Sequence, residues 1–325
     1  VARSRSKLAE LGLADRSIEV REASIDDAGS LDRAFAGVAA VINCAGPFLD
    51  TAEAVAAAAL RAHAHYLDVT AEQPSARATF ERFDRPARDA GVVVIPAMGF
   101  YGGFADLLVT AAMGDWSIAD EIGIGIALDS WHPTQGTRIT GERNTARRMV
   151  VADGQLAPLP QPAAEMAWDF PQPFGTQTVI ELPFSEIIVI ARHLRAAELH
   201  TYLSQTALRD VRDATTPPPV PADETGRSAQ RFAVEAIVCK DEETRRAIAQ
   251  GRDIYAFTAP LVGEAVERLL RGDFRDAGAQ APGAILDARD FLQALVPDNL
   301  TFQITDGEPR DTASISAAPQ EEKLP

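Results

Sequence analysis

Four short stretches carry residues that can do chemistry. The first is Asn43-Cys44-Ala45-Gly46-Pro47-Phe48, which follows a short apolar run. Open parallel sheets bind ligands at the carboxyl ends of their strands. Gly46 lets a ligand approach the backbone, Pro47 stiffens the turn, and the Asn43 amide can hydrogen-bond a ribose or another amide. An ordinary strand-to-helix turn accounts for the same residues. The second stretch is Arg3-Ser4-Arg5. At the end of the second strand of a dinucleotide-binding sheet an acidic residue takes a ribose 2′-hydroxyl, whereas an Arg pairs with a 2′-phosphate. Arg3 and Ser4 suit a phosphate; a solvated basic terminus is the plainer account.

The third stretch, Tyr66-Leu67-Asp68-Val69-Thr70-Ala71-Glu72, sends three polar groups from one short strand into a loop. Asp68 and Glu72 can do acid–base work or bind a cationic group; alternatively Thr70 caps the next segment and Glu72 completes a local hydrogen bond. His63 and His65 are two apart and share no helical face, so they read as structural. The fourth is Met98-Gly99-Phe100-Tyr101-Gly102-Gly103-Phe104-Ala105-Asp106-Leu107. Its glycines can open backbone N–H groups toward a ligand, and a helix over 105–112 would offer anions its N-terminus. Tyr101 is the one side chain here that can donate a proton, and is the weak catalytic candidate. A Gly-rich turn with Asp106 in the first helical turn is the alternative. No GxSxG, HExxH or P-loop pattern is present, so those hydrolase and NTPase mechanisms lack support.

The elements that must position these residues alternate in period. Residues 17–23 alternate polar and apolar as a strand does, 26–36 read as a helix, and 38–44 fit a strand buried on both faces. A small-residue helix over 52–64, a strand at 66–69, a helix over 74–90 closed by Gly91 and a buried strand at 92–95 follow. This rhythm predicts βαβ units and a parallel sheet. The middle differs: 121–128, 178–182, 187–190 and 231–239 are strand candidates, 156–173 is Pro-rich and irregular, and 215–221 must be extended loop. That region reads as α+β with a mostly antiparallel sheet. A clean amphipathic helix covers 259–271, with Gly272 as its cap, and a short one covers 288–295. From 296 the chain turns polar and acidic, and 312–325 reads as a disordered tail.

The chain has 325 residues, 46% of them hydrophobic and 24% charged, which is ordinary globular composition. Its net charge of −16 argues against nucleic-acid and anionic-membrane partners. Cys44 and Cys239 are too few and too far apart for a disulfide framework or a structural zinc, and suit buried thiols in a reducing cytosol; no metal site is expected. No segment is long and apolar enough to cross a bilayer, and no signal peptide is evident.

Taken together these segments resemble the saccharopine dehydrogenase-like family of NAD(P)-dependent oxidoreductases. The carrying residues are Arg3-Ser4 with Lys7-Leu8, the VINCAGPF run over 41–48, YLDVTAE over 66–72, GFYGGFADL over 99–107, GRDIYAFTAPLVGEAVERLL over 251–270 and Ala281-Pro282-Gly283. The resemblance implies an α/β fold: a Rossmann-like parallel sheet over 1–115, an inserted α+β substrate and dimerisation domain over 116–250, and a helical segment over 251–296 returning to the first domain. A disordered tail would follow over 297–325. The family's Gly-rich phosphate loop lies ahead of the segment that begins here at Val1, which predicts missing sequence upstream. Relatives often carry Pro-Ser before the Asp that corresponds to Asp106; Phe104-Ala105 stands there instead.

The implied activity is hydride transfer between NADP(H), with NAD less favoured, and an unidentified small organic substrate. The expected cofactor residues are Arg3, Ser4, Asn43, Ala45, Gly46, Pro47 and Phe48, and the expected substrate end is Thr70, Glu72, Gly99, Phe100 and Tyr101. The alternatives are a non-catalytic dinucleotide-binding or scaffold protein, or an inactive gene fragment. A homodimer paired at a sheet edge near 187–190 and a cytoplasmic location complete the expectations.

Overall fold

The computed structural model describes residues 18–309. Arg3 and Ser4 lie outside the described residues. Of residues 18–23 only Glu22 makes a bridge, so the strand expected there is not formed among them.

The first sheet begins with β1 (Ala40–Asn43), β2 (His65–Asp68) and β3 (Val93–Ile95), all parallel. Between and before them run α1 (Ala28–Phe35), α2 (Phe48–Arg61) and α3 (Gln73–Ala90). Asp27 starts α1 by accepting the Ser30 N–H, which satisfies one of the orphan donors of a first turn. The alanines of α2 let it lie close to the sheet, and Ala56, Ala58 and Ala59 are wholly buried. Gly91 ends α3 at φ 68°, a left-handed position that favours glycine, and its N–H closes on the Ala87 and Arg88 carbonyls. β1 is an edge strand among the described residues. Ile42 on it is 45% exposed, which corrects the expectation of burial on both faces.

After β3 the chain makes a π-turn over Phe100–Phe104 and enters α4 (Ala105–Met113). Every α4 residue but Thr110 is buried, because this helix is the shared interior of both halves. Its leucines Leu107 and Leu108 have no exposed surface, each contributing about 2 kcal/mol of burial. One apolar cluster runs from Ile95 and Phe104 through α4 to Ile122, Phe232 and Phe257 on the far side.

The second sheet has nine strands: β4 (Ile118–Leu128), β5 (Met149–Ala152), β6 (Gln155–Pro158), β7 (Glu165–Phe170), β8 (Gly175–Glu181), β9 (Arg195–Ser204), β10 (Arg231–Lys240), β11 (Glu243–Arg252) and, last in sequence, Leu300–Pro309. β4 and β9 pair parallel, and the other pairs are antiparallel. Helices α5 (Gln135–Arg143), α6 (Glu186–Ile190) and α7 (Gln205–Arg212) are inserted among them. The long helix α8 (Ile254–Arg271) then leads back to the first sheet, where β12 (Gly278–Ala279) pairs parallel with β3. Two short helices, α9 (Pro282–Ile285) and α10 (Ala288–Ala294), precede the final strand, β13 (Leu300–Pro309).

Three expectations are corrected here. The apolar run Ile187-Ile188-Val189-Ile190 is helical, not a strand, and all four residues are buried between the two halves, so no sheet edge exists there to pair a homodimer. The Pro-rich stretch 156–173 contains most of β6 and all of β7. The polar region after 296, expected as tail, contributes β13, which lies along β11.

Candidate functional site

The carboxyl ends of β1, β2 and β3 converge on one edge of the first sheet. After β1, residues Cys44, Ala45 and Gly46 are exposed backbone. Asn43 is buried beneath them: its amide donates to Thr51 at 3.3 Å and to the Tyr66 hydroxyl at 3.2 Å, and its oxygen accepts the Ala45 N–H at 3.0 Å. Its amide and one side of its oxygen therefore hold the turn.

The β2 loop is tied in the same way. Asp68, without exposed surface, accepts the Tyr66 hydroxyl at 2.9 Å and the N–H groups of Ala97 at 2.8 Å and Thr70 at 3.1 Å. Burial raises its carboxyl above the usual aspartate range, and these three donors pull against that rise. Glu72 caps α2 from outside: one carboxylate oxygen takes the N–H groups of Phe48 at 2.9 Å and Leu49 at 3.2 Å, and the Thr70 hydroxyl at 3.3 Å. The other, Oε1, is buried without a partner. Thr70 also accepts the Glu72 N–H, and its carbonyl takes the Ser185 hydroxyl. Both residues thus hold the turn, with Glu72 Oε1 left unbonded. His65 accepts the Val93 N–H at 3.0 Å, a structural role.

The π-turn closes on itself. Gly102 and Phe104 donate to the Gly99 carbonyl, Gly103 donates to the Ala97 carbonyl, and Ala97 holds φ 59° in the left-handed region. The glycines open no N–H group to a ligand, and the start of α4 is buried with Asp106, so the expected anion position is absent there. Asp106 instead bonds His193 at 2.6 Å and the Gly283 N–H at 2.7 Å, joining three segments. A Cβ at Gly102 would lie 2.2 Å from the Ala97 carbonyl oxygen, so only glycine fits.

Tyr101 is the exception in this loop. Its ring packs against Phe184 at 4.3 Å, Phe100 at 5.0 Å and Trp131 at 5.4 Å, and its hydroxyl is buried without a hydrogen-bond partner. Burial, then the neighbouring Tyr255 and Glu186, push that hydroxyl well above the usual tyrosine range. A neutral, partnerless O–H is thus held among aromatic faces.

The second sheet supplies the facing wall, which sequence reasoning missed. The Trp131 indole donates to the Tyr255 hydroxyl at 3.0 Å, and Thr137 shares a 2.9 Å bond with the same oxygen. Thr140, one turn further along α5, stands against Gly46: a Cβ there would be 3.3 Å from its hydroxyl. Arg143 reaches Asp50 beside the turn at 2.6 Å. A continuous wall therefore runs from the exposed backbone at 44–46 through α5 to Tyr101. Gln73 joins the halves below it, exchanging hydrogen bonds with both backbone groups of Met149 and donating to the Phe184 carbonyl. The one available signal was the aromatic Trp131 directly after a strand end.

These features define an α/β protein with a Rossmann-like parallel sheet facing a mixed sheet. Residues 1–95 match the family model for the saccharopine dehydrogenase NADP binding domain. No curated protein matches the chain in sequence. Among solved structures it is similar to apo saccharopine dehydrogenase (L-Glu forming) from Saccharomyces cerevisiae. That match has a TM-score of 0.63 at 12% identity over 94% of this chain and 93% of that one, and it shows a shared fold. More distant are a probable dehydrogenase from Thermotoga maritima (TM-score 0.42, 12% identity, 90% and 85% covered) and GenD2 from gentamicin A biosynthesis in complex with NAD (TM-score 0.34, 13% identity, 86% and 81% covered). The resemblance seen in the residues therefore stands, in sequence over 1–95 and in fold over most of the chain. Among the described residues no helix is long and apolar enough to cross a membrane, and no group of three His, Cys, Asp or Glu side chains is placed to hold a metal.

Proposed function

We propose that the chain is an oxidoreductase that moves a hydride between NADP(H) and a small organic substrate. The observation that carries this reading is the NADP-binding family match lying on a parallel sheet whose carboxyl edge is open backbone at 44–46. The residues present fit the cofactor: Gly46 places no side chain in the way, and Ala45, Gly46, Pro47 and Phe48 would hold its ribose and nicotinamide side. Arg3 and Ser4 are proposed for the 2′-phosphate, which favours NADP over NAD. When bound, the dinucleotide supplies hydride chemistry. Gly99, Phe100 and Tyr101 line the substrate end, the rings of Trp131 and Phe184 exclude water, and the Tyr101 hydroxyl supplies a proton to the substrate atom that gains electrons.

NADPH oxidation across a panel of carbonyl, imine and enoyl compounds tests the activity. Loss of turnover in Tyr101→Phe with retained NADPH binding is the expected outcome, and full turnover would remove Tyr101 from the reaction. Equal NADPH affinity in Arg3→Ala and the unaltered chain would remove Arg3. A second reading, dinucleotide binding without turnover, is favoured by one observation: Asn43, Asp68 and Thr70 engage their polar atoms inside the fold. Saturable NADPH binding with no oxidation across the panel would select it. A cytoplasmic homodimer belongs to the same proposal, through β6, an edge strand among the described residues; light scattering that returns a monomer removes it.

A further inference from the structure

Helix α5 fills the room that Gly46 leaves open. The position a side chain at Gly46 would take lies 3.3 Å from the Thr140 hydroxyl, so the closest approach to that backbone is already made from α5. Alone among the described helices, α5 has no buried residue, and its Ile139 is 39% exposed. A helix this short gets its place from packing, and α5 has little of it. Its amino end is tied to the second half of the molecule. The Thr134 N–H donates to the Tyr255 hydroxyl at 3.3 Å, Thr137 shares its 2.9 Å bond with the same oxygen, and Arg138 donates to the carbonyls of Asp213 at 3.2 Å and Thr216 at 2.7 Å.

Its carboxyl end is clasped to the first half by one ion pair among the described residues. Arg143 meets both carboxylate oxygens of Asp50, at 2.6 Å and 2.9 Å, in a paired geometry whose side chains are 54% and 37% exposed. Water can replace such contacts when they part, so separation strands no charge in the interior. The next residue adds a second observation. Asn144 Oδ1 is buried without a hydrogen-bond partner, so the closed position leaves an amide carbonyl unsatisfied. One end is tied at three residues, and the other is held by a single surface pair beside a group that gains a partner on opening.

We propose that α5 is a latched lid over the cofactor edge: it swings about its amino end, and the Arg143–Asp50 pair parts before a dinucleotide can lie along residues 44–48. The inference rests on the cofactor placement proposed above. The closed lid keeps the turn covered while no cofactor is bound. Because the latch is an exposed pair, it slows entry only severalfold.

The test uses the full chain, Arg143→Ala, Asp50→Asn and the double variant, with NADPH as the probe and its fluorescence followed after rapid mixing. In the unaltered chain the observed rate should reach a limit at high NADPH, set by lid opening rather than by collision. Each single variant should raise that limit about fivefold, and the double variant should go no further, because both changes release one latch. A rate that climbs with NADPH without limit, a limit unmoved by either variant, or a double variant faster by the product of the two single effects overturns the proposal. Absence of NADPH binding in all four chains counts against the cofactor reading instead. Amide exchange over 135–143 without ligand then decides the latch: equal acceleration in both single variants and the double supports it, and identical exchange in all four chains overturns it.

Discussion

Gly102 and Glu72 show how much of the site depends on single atoms. At Gly102 an added methyl would meet the Ala97 carbonyl oxygen at 2.2 Å and the Ala97 Cβ at 2.8 Å, both on a stretch already held at positive φ. Gly102→Ala should therefore lose about 3 kcal/mol or more of stability, whereas Gly141→Ala, with nothing within 4 Å, should lose none and gain a few tenths from helix propensity. Urea unfolding of the pair checks this; equal midpoints would mean that the π-turn yields easily. Glu72→Ala strips the acceptor from the Phe48 and Leu49 N–H groups and the Thr70 hydroxyl, at a cost on the order of 3 kcal/mol by the same measurement. At this scale the sequence marked the turns after the strands of the first sheet, but not the hydrogen bonds that hold them. Asn43, Thr70 and Glu72 stand beside the candidate cleft, yet Glu72 bonds a helix start 24 positions away, a partner that no local pattern reveals. Tyr101 was legible because it alone carried a proton in a Gly-rich loop, and its partnerless state follows only from the packing of Phe184 and Trp131.

Among the elements, α5 is the one held mainly from its ends. None of its residues is buried; Thr137 meets Tyr255, and Arg143 pairs with Asp50 across an exposed gap. An exposed ion pair is worth no more than about 1 kcal/mol, so Arg143→Ala should leave global stability almost unchanged while loosening this helix. Amide hydrogen exchange over 135–143 should accelerate severalfold in Arg143→Ala and hold steady in α8; unaltered exchange in α5 would show that Thr137 and Thr140 suffice. The βαβ rhythm of the first sheet was legible because α1 has the Asp27 cap, α3 ends at the left-handed Gly91, and β1 and β3 lie in compact apolar runs. The errors have physical causes. A four-residue apolar run such as 187–190 has no periodicity to separate a buried helix from a buried strand, and burial on all sides made it helical. Prolines at 160, 162, 171 and 173 fall outside β7 and in the links around it, so the stretch around them looked irregular while β6 paired with β5 and β7 formed a hairpin with β8. Strand β13 reads as polar because it pairs along β11 with Thr301, Gln303 and Thr305 exposed.

For the whole molecule, burial sets the pH at which the fold is most stable. Burial raises four carboxyls, Asp68, Glu72, Glu186 and Glu235, with Glu186 reaching about 7. A carboxyl whose folded value exceeds its unfolded one binds its proton more tightly in the native state. Its contribution is fully present below the unfolded value and is lost as pH rises through the folded one. His200 acts in the same direction. Burial alone would lower it, but Glu181 at 2.6 Å and Glu198 at 3.1 Å raise it, so its share is present below the ordinary histidine value and lost as pH climbs past the raised one. Among the opposing groups, His65 is lowered by burial, so its contribution is fully present above the ordinary histidine value and lost as pH falls through the lowered one; the others work only in acid. Asp253, where burial is outweighed by N–H groups of Ala256, Ser228 and Tyr255, and the surface Asp115, Asp213, Asp223 and Asp276 are all held below the ordinary aspartate value; their contributions disappear as pH falls through those lowered values. The net charge reaches −16 only when groups such as His200 and Glu186 have lost their protons, which adds self-repulsion on the alkaline side. Stability should therefore peak between about pH 4.5 and about pH 6.5 and decline toward pH 8. Thermal midpoints measured from about pH 4 to about pH 9 read this directly. Glu186→Gln should flatten the decline around neutrality and His200→Gln should flatten its onset, whereas a maximum above pH 8 would mean that these buried acids are far better solvated than their surroundings indicate.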